Sequence, residues 1–275
     1  MSVIKPLDRE ALRAEFESAV PFRFVAIDSF LRDDFAREVA AAYPTFEEAE
    51  RLGFGFKAVN ERKKVQITDV SRFPEPVKRL HDALASEAFL SDLSAITGIP
   101  CLLADPTLSG GGIHVTGPHG RLDVHVDFNL LGTTPEQYRR LNLLVYLNPE
   151  WDERWAGELE LWDRDVKRCR QRYAPLLNRC VIFETSDISF HGVAPLTCPP
   201  TAARKSFAAY YYTIEPPPAH HGGHGTIFRA RPDERVRRYV LMPAERLQRR
   251  VSGRIRSGLR LARRAAGRAK RALTK

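Results

Sequence analysis

The sequence predicts a mainly β domain of jelly-roll type with flanking helices, and three observations carry that expectation. From Cys101 to Thr213 short apolar runs recur at even spacing, separated by Gly, Pro and polar turns. The helices of the body precede this block and do not alternate with strands, which argues against a doubly wound parallel sheet. A chain of 275 residues, 43% of them hydrophobic, can bury one substantial core with helical additions.

Taken in order, Asp8 caps a short helix over residues 8–18, in which Leu12 and Phe16 lie one turn apart. Pro21 ends it, and Phe22–Ile27 reads as a strand. A second helix, capped by an Asp, runs from Asp33 to Tyr43 and stops before Pro44. Residues 45–75 yield only two strand pieces, Phe54–Lys57 and Lys64–Thr68, joined by a charged turn. Residues 76–97 predict one helix supporting a sheet face. Val77, Leu80, Leu84, Leu93 and Ile96 mark its apolar side, and Gly98 with Pro100 closes it. The strands of the β block are expected at Ile113–Thr116, Leu122–Asp127, Leu141–Leu147, Glu158–Trp162, Arg179–Phe183, His191–Ala194 and Ser206–Thr213. Pro216 to His224 reads as a flexible connector, with metal binding by its three histidines as the lesser reading. Thr226–Arg229 adds a short strand. From about Ala244 a helix is expected, with Leu247, Val251, Ile255 and Leu259 spaced by four and Arg on the other faces. The expected organisation is a domain over 1–230, helical to 100 and jelly-roll from 101, then a basic amphipathic tail over 231–275.

Composition narrows the function classes. No run of eighteen apolar residues is present, so no spanning helix is expected, and the start lacks the apolar run of a secretory signal. Four cysteines without paired spacing argue against a disulfide scaffold and a structural zinc site, and make a reducing cytoplasm the expected compartment. The net charge of +9 is concentrated in the tail: residues 246–275 hold twelve Lys/Arg and no Asp/Glu, and removing them leaves a formal −3 for the rest. A nucleic-acid surface on the body is therefore not expected. For the tail, a solvated extension ranks first, contact with an anionic membrane or an acidic partner second, and nucleic acid third, because it lacks stacking aromatics.

The chemistry centres on Asp123-Val124-His125-Val126-Asp127-Phe128-Asn129. On a strand His125 and Asp127 share a face. His191 in Ser189-Phe190-His191-Gly192-Val193 supplies a third candidate. Two imidazoles and one carboxylate with vacant positions suit non-haem Fe(II). A His-x-Asp pair by itself is also what a structural strand histidine leaves. Downstream, Arg204 shares a strand face with Ser206, while alternation aims Lys205 away. A fixed fork of donors is what a distal carboxylate needs. Tyr146 is either a phenol donor or a plain sheet aromatic. Trp151, Trp155 and Trp162 read as core or rim packing, and Gly110-Gly111-Gly112 as a loop at the pocket mouth. Asp123 and Asn129 are the candidate partners for the outer nitrogens of the ligand histidines.

The ordered set His125-x-Asp127, Tyr146-Leu-Asn, Gly157-Glu-Leu, Asn178-Arg-Cys-Val-Ile-Phe, His191-Gly-Val and Arg204-x-Ser206 resembles the prolyl 4-hydroxylase-like group of 2-oxoglutarate/Fe(II)-dependent dioxygenases. The resemblance covers about residues 100–215, and Pro21 to Leu31 also resembles the N-terminal part of such enzymes. It implies a double-stranded β-helix. It also implies that His125, Asp127 and His191 bind iron and act catalytically, and that Arg204 and Tyr146 grip the 5-carboxylate of 2-oxoglutarate, with Ser206 beside them. His114 stands near a position that is often Tyr, which leaves co-substrate contact and pocket lining both open. Ala208 stands where some relatives carry a hydroxyl. The implied co-substrates are 2-oxoglutarate and O2, with ascorbate as reductant, and the products are succinate, CO2 and a hydroxylated C–H position. A peptidyl-prolyl or other protein side chain is the expected substrate, with a small metabolite or glycan-linked group as the alternative. A non-catalytic jelly-roll module working through its Arg-rich tail is the alternative of another class.

Overall fold

The structure, a computed structural model, describes residues 2–218 and 220–244. The chain divides into two compact units, residues 1–229 and 230–275. In the second, a short π-helical segment spans Arg237–Leu241, and Glu234 forms ion pairs with Arg231 and Arg237. The helix expected from about Ala244 lies outside the described residues.

The first unit opens with α1 (Arg9–Ser18), where the Asp8 carboxylate accepts the Ala11 N–H and Phe16 is buried. β1 (Phe24–Ile27) follows. α2 (Asp33–Ala42) does not have the expected Asp cap. Its N-cap is Arg32, and Asp33 and Asp34 lie in the first turn, where the helix dipole favours them. α3 (Phe46–Leu52) was not foreseen, although its capping box is legible: Thr45 accepts the Glu48 N–H and Glu48 accepts the Thr45 N–H. β2 (Phe54–Lys57) and β3 (Glu61–Ile67) form a hairpin. The single helix expected over 76–97 is two, α4 (Glu75–Leu84) and α5 (Glu87–Thr97). Ser86 breaks it by capping α5, its hydroxyl accepting the Phe89 N–H. Gly98, at φ 69°, closes α5.

The β block contains β4 (Leu103–Ala104), β5 (Gly112–Val126), β6 (Leu130–Leu131), β7 (Gln137–Tyr146), β8 (Leu159–Trp162), β9 (Cys169–Tyr173), β10 (Cys180–Glu184), β11 (His191–Val193), β12 (Arg204–Thr213) and β13 (Ile227–Arg229). The two strands expected over 113–127 are one long β5, and β9 was missed because Cys-Arg-Gln-Arg-Tyr has little apolar content. Among the described residues the strands join one curled sheet in the order β1-β10-β7-β12-β5-β11-β8-β9. β3 and β13 also pair with β5, β2 with β3, β4 with β12, and β6 with β7. Among the described residues every strand pairing is antiparallel, as in β7 with β12 and β5 with β11. This is the mainly β, jelly-roll architecture that the strand spacing predicted.

Strand alternation sorts the side chains. Leu141, Leu143 and Val145 of β7 and Cys180 and Ile182 of β10 pack under the helices with Val39, Val77, Leu80 and Leu93. Tyr146, Val181 and Phe183 face the other way and cluster with Leu159 and Leu161 of β8. The helices therefore close one face, and the inner face of the curl is left for the site.

Asn178 ties the N-terminal segment to the start of β10. At φ 64°, its side chain accepts the Leu31 N–H (2.7 Å) and donates to the Leu31 carbonyl (2.8 Å). Asn178→Ala removes both bonds from a buried site and keeps a left-handed backbone unfavourable to Ala. It is expected to lower unfolding free energy by about 2–4 kcal/mol, read from denaturant titration.

Candidate metal and anion site

β5 and β11 place His191 directly opposite His125, with ring centroids 4.3 Å apart. Asp127 follows at the end of β5. His125 Nε2 lies 3.5 Å from Asp127 Oδ1, and His191 Nε2 lies 3.4 Å from Asp127 Oδ2. One ligand atom from each of the three side chains falls within 4.8 Å of the others, the one such metal-capable group found among the described residues.

Both imidazoles have one possible tautomer at these contacts. His125 Nδ1 lies 2.8 Å from the Asp123 carbonyl, and His191 Nδ1 lies 2.9 Å from the Ser189 carbonyl. A carbonyl only accepts, so Nδ1 carries the proton and the Nε2 lone pair faces the shared centre. Asp123 thus serves through its backbone, not its carboxylate, and the Ser189 contact was not foreseen. Asn129 acts elsewhere, accepting the His224 N–H and donating to the Gly222 carbonyl. Burial pulls the His191 pKa down to about 3, with His125 alongside adding to it, so the ring is neutral and free to coordinate.

Asp127 Oδ2 accepts two hydrogen bonds, from Asn142 Nδ2 (2.7 Å) and Arg139 Nη2 (3.1 Å). Burial would raise this carboxyl, but the Arg139 charge and the flanking histidines hold it well below the usual range. Sequence reading missed Arg139 and Asn142. Their signal was the cluster of polar residues Arg139, Arg140 and Asn142 leading into the apolar run of β7.

Deeper along the inner face, Arg204 is 4% exposed. Its Nε donates to the Gly157 carbonyl (2.7 Å), its Nη1 reaches Ser206 Oγ at 3.4 Å, and its carbon lies 4.9 Å from the Tyr146 ring centroid. Arg204 Nη2 and the Tyr146 hydroxyl are both buried without a hydrogen-bond partner. Gly157, at φ 77°, can offer its carbonyl because a Cβ there would press on Trp151 and Leu196 at 3.1–3.2 Å. Two adjacent orphaned donors in a buried site call for an acceptor, and a carboxylate is the acceptor a guanidinium fits best. Phe183, in the same cluster as Tyr146, stacks at 4.7 Å from His191 and so connects the two parts.

His114 pairs through its backbone with Ser206, and its Nε2 bonds the Gly110 carbonyl at 3.0 Å. Tyr210 donates to the same carbonyl at 2.8 Å, so the glycine loop is fastened at two points. Lys205 points away, its ammonium near the Tyr43 carbonyl. Trp162 is core. Trp151 and Trp155 pack edge to face around Leu196 and Val193. Of the connector histidines, His224 pairs with Asp187 (3.0 Å) and His220 lies edge-on to Tyr138. β13 was expected, but its place was not: it pairs with β5 so that Phe228 lies opposite His125, rings 5.3 Å apart.

Residues 111–212 match the family model described as the 2OG-Fe(II) oxygenase superfamily. The mouse protein named prolyl 3-hydroxylase OGFOD1 is 26% identical over 202 residues, which is 72% of this chain and 33% of that protein. The chain thus spans about a third of the length of this curated relative. Among solved structures, a prolyl-4-hydroxylase from Pseudomonas putida superposes with a TM-score of 0.50 at 17% identity, over 74% of this chain and 98% of that one. A prolyl hydroxylase from Trichoplax adhaerens, solved with a hypoxia inducible factor peptide fragment, gives 0.52 at 17% identity, over 74% and 90%.

Burial pulls His114 well below the ordinary 6.5, and the Lys64 and Arg204 charges act the same way. The unfolded chain therefore binds more protons than the folded one below about pH 6.5, and stability falls as the pH drops through that range. In metal-free protein, His114→Gln is expected to flatten this fall, measured by denaturant midpoints from about pH 7.5 to about pH 5.5.

Proposed function

We propose that the protein is a 2-oxoglutarate- and Fe(II)-dependent dioxygenase of the prolyl 4-hydroxylase-like kind, a reading supported by the match of residues 111–212 to the 2OG-Fe(II) oxygenase superfamily model. Its substrate in this reading is an unactivated C–H bond of a protein side chain, peptidyl proline first. The observation that carries it is the convergence of His125, Asp127 and His191 on one buried point, with a guanidinium and a phenol left unpartnered further in.

His125 and His191 would hold the metal through Nε2 and Asp127 through its carboxylate, a set that leaves coordination positions open. Iron with 2-oxoglutarate and O2 supplies the oxidising chemistry, in which succinate and CO2 are released and one oxygen atom stays on the substrate. The chain's own residues bind and orient. Arg204 Nη2 and the Tyr146 hydroxyl would take the far carboxylate of 2-oxoglutarate, with Ser206 and the Gly157 carbonyl fixing the guanidinium plane. The Asp123 and Ser189 carbonyls fix the two rings. Phe183 and Phe228 wall the histidines with apolar surface.

Support for the peptidyl substrate comes from the relatives: the mouse protein is named a prolyl 3-hydroxylase, and the Trichoplax enzyme was solved with a peptide fragment. The same reading takes ascorbate as reductant. It assigns the chain to a reducing cytoplasm, which suits its four free cysteines, and gives the basic tail contact with an anionic membrane or an acidic partner.

Incubation with Fe(II), 2-oxoglutarate, ascorbate and a panel of proline-containing peptides and small metabolites is expected to add one oxygen to a peptide, seen by mass spectrometry. A gain confined to metabolites would reassign the substrate. His125→Ala and Asp127→Ala are expected to abolish coupled succinate release, and full activity in either would refute the ligand assignment. Arg204→Leu is expected to raise the KM for 2-oxoglutarate by at least about 30-fold, and Tyr146→Phe by about tenfold.

A further inference from the structure

The strand β7 contains an irregularity with a consequence for the metal-binding carboxylate. Its pairing with β12 is regular from Tyr146↔Ser206 to Leu141↔Tyr211. The next pair is Arg139↔Tyr212, and Arg140 is skipped. Simple alternation would put Arg140 on the inner face with Asn142, Leu144 and Tyr146. The bulge substitutes Arg139. Arg140 instead reaches Thr213 Oγ1.

Arg139 so placed is 1% exposed in its side chain and has nowhere to move. Its guanidinium carbon lies 3.5 Å from the Tyr210 ring centroid and 4.6 Å from that of Phe128. Arg139 Nε donates to Asn142 Oδ1 at 2.9 Å, and the Thr185 hydroxyl reaches the same oxygen at 3.3 Å. With Oδ1 so engaged, the Asn142 amide must present Nδ2 to Asp127. The three side chains close a ring: Arg139 to Asn142, Asn142 to Asp127 Oδ2, and Arg139 to the same Oδ2.

We infer that Arg139 is a positioning residue, which with Asn142 occupies Oδ2 of Asp127 and restricts the carboxylate to binding metal through Oδ1. This rests on the metal reading above. A carboxylate with both oxygens free can chelate, and chelation would consume a coordination position that the co-substrates need. The stacked guanidinium cannot rotate to follow the carboxylate, so the torsion of Asp127 is fixed before metal arrives.

The test is an anaerobic Co(II) titration of the full chain followed by visible absorption, then addition of 2-oxoglutarate. Arg139→Leu and Asn142→Leu are each expected to weaken Co(II) binding by about 10–100-fold. Each should also alter the ligand-field band and reduce the spectral change that 2-oxoglutarate induces. Arg139→Lys, which keeps the charge and one donor, is expected to recover part of both. Circular dichroism of the metal-free variants reports whether each is folded, and Asn142→Leu decides the matter if Arg139→Leu is not. A folded variant with wild-type affinity, band and 2-oxoglutarate response overturns the role of Arg139 alone. Wild-type protein that takes up no Co(II), or takes it up equally after His125→Ala, overturns the metal reading and this inference with it.

Discussion

The pairing of β5 with β11 is the constraint on which the rest of the site depends. Side chains alternate along a strand, so a slip of one residue would turn His191 away from His125 to the opposite face. Gly192 makes the correct approach possible. A Cβ there would lie 3.1 Å from the Leu122 carbonyl oxygen and 3.2 Å from the Val124 backbone, which leaves a larger side chain no comfortable place. On its other edge β11 is held by β8, with His191 opposite Leu161 and Val193 opposite Leu159. His191 is thus clamped between two strands, and only a three-residue strand is needed to present it.

Two of the buried guanidiniums stand under opposite terms. Arg139 is compensated within the protein: a carboxylate accepts its charge, an amide accepts its Nε–H, and aromatic faces cover its plane. Arg204 is not. It has a carbonyl, a long contact to a hydroxyl and the flank of Tyr146, and one donor is left over. Burial is costly to this charge and lowers the Arg204 pKa from its ordinary value, an effect that Tyr146 and the Glu158 carboxylate only partly offset. The protein accepts that cost at one position and avoids it at the other. This asymmetry is what the proposed binding role of Arg204 rests on.

Much of this was legible in the sequence where period and chemistry coincide. The jelly-roll class followed from evenly spaced apolar runs, and the His125–Asp127 face followed from alternation alone. The arrangement of Arg204 beside Ser206, with Lys205 turned away, came from the same rule. The illegible parts are those where alternation fails or the backbone acts. The bulge at Arg140 inverts the facing of Arg139, and no local pattern announces a bulge made by a strand more than sixty residues away (Tyr211 and Tyr212). The carbonyls of Asp123 and Ser189 have no sequence signature, because every residue has a carbonyl. The break at Ser86 was readable as a cap, but apolar periodicity carried the reading through it. The facing of Phe228 required a pairing between distant segments that composition cannot supply.

That last pairing bears on the order in which the chain can mature. β13 adds to the strand that carries His125, after a connector anchored at Asn129 and at Asp187 on the loop leading to His191. A nascent polypeptide emerging from the ribosome can form the helical layer early, since α1 to α5 precede the curl. It cannot cover His125 with Phe228 until residue 228 has been made and has paired with β5. The apolar cover of that histidine is thus the last piece of the sheet to be made.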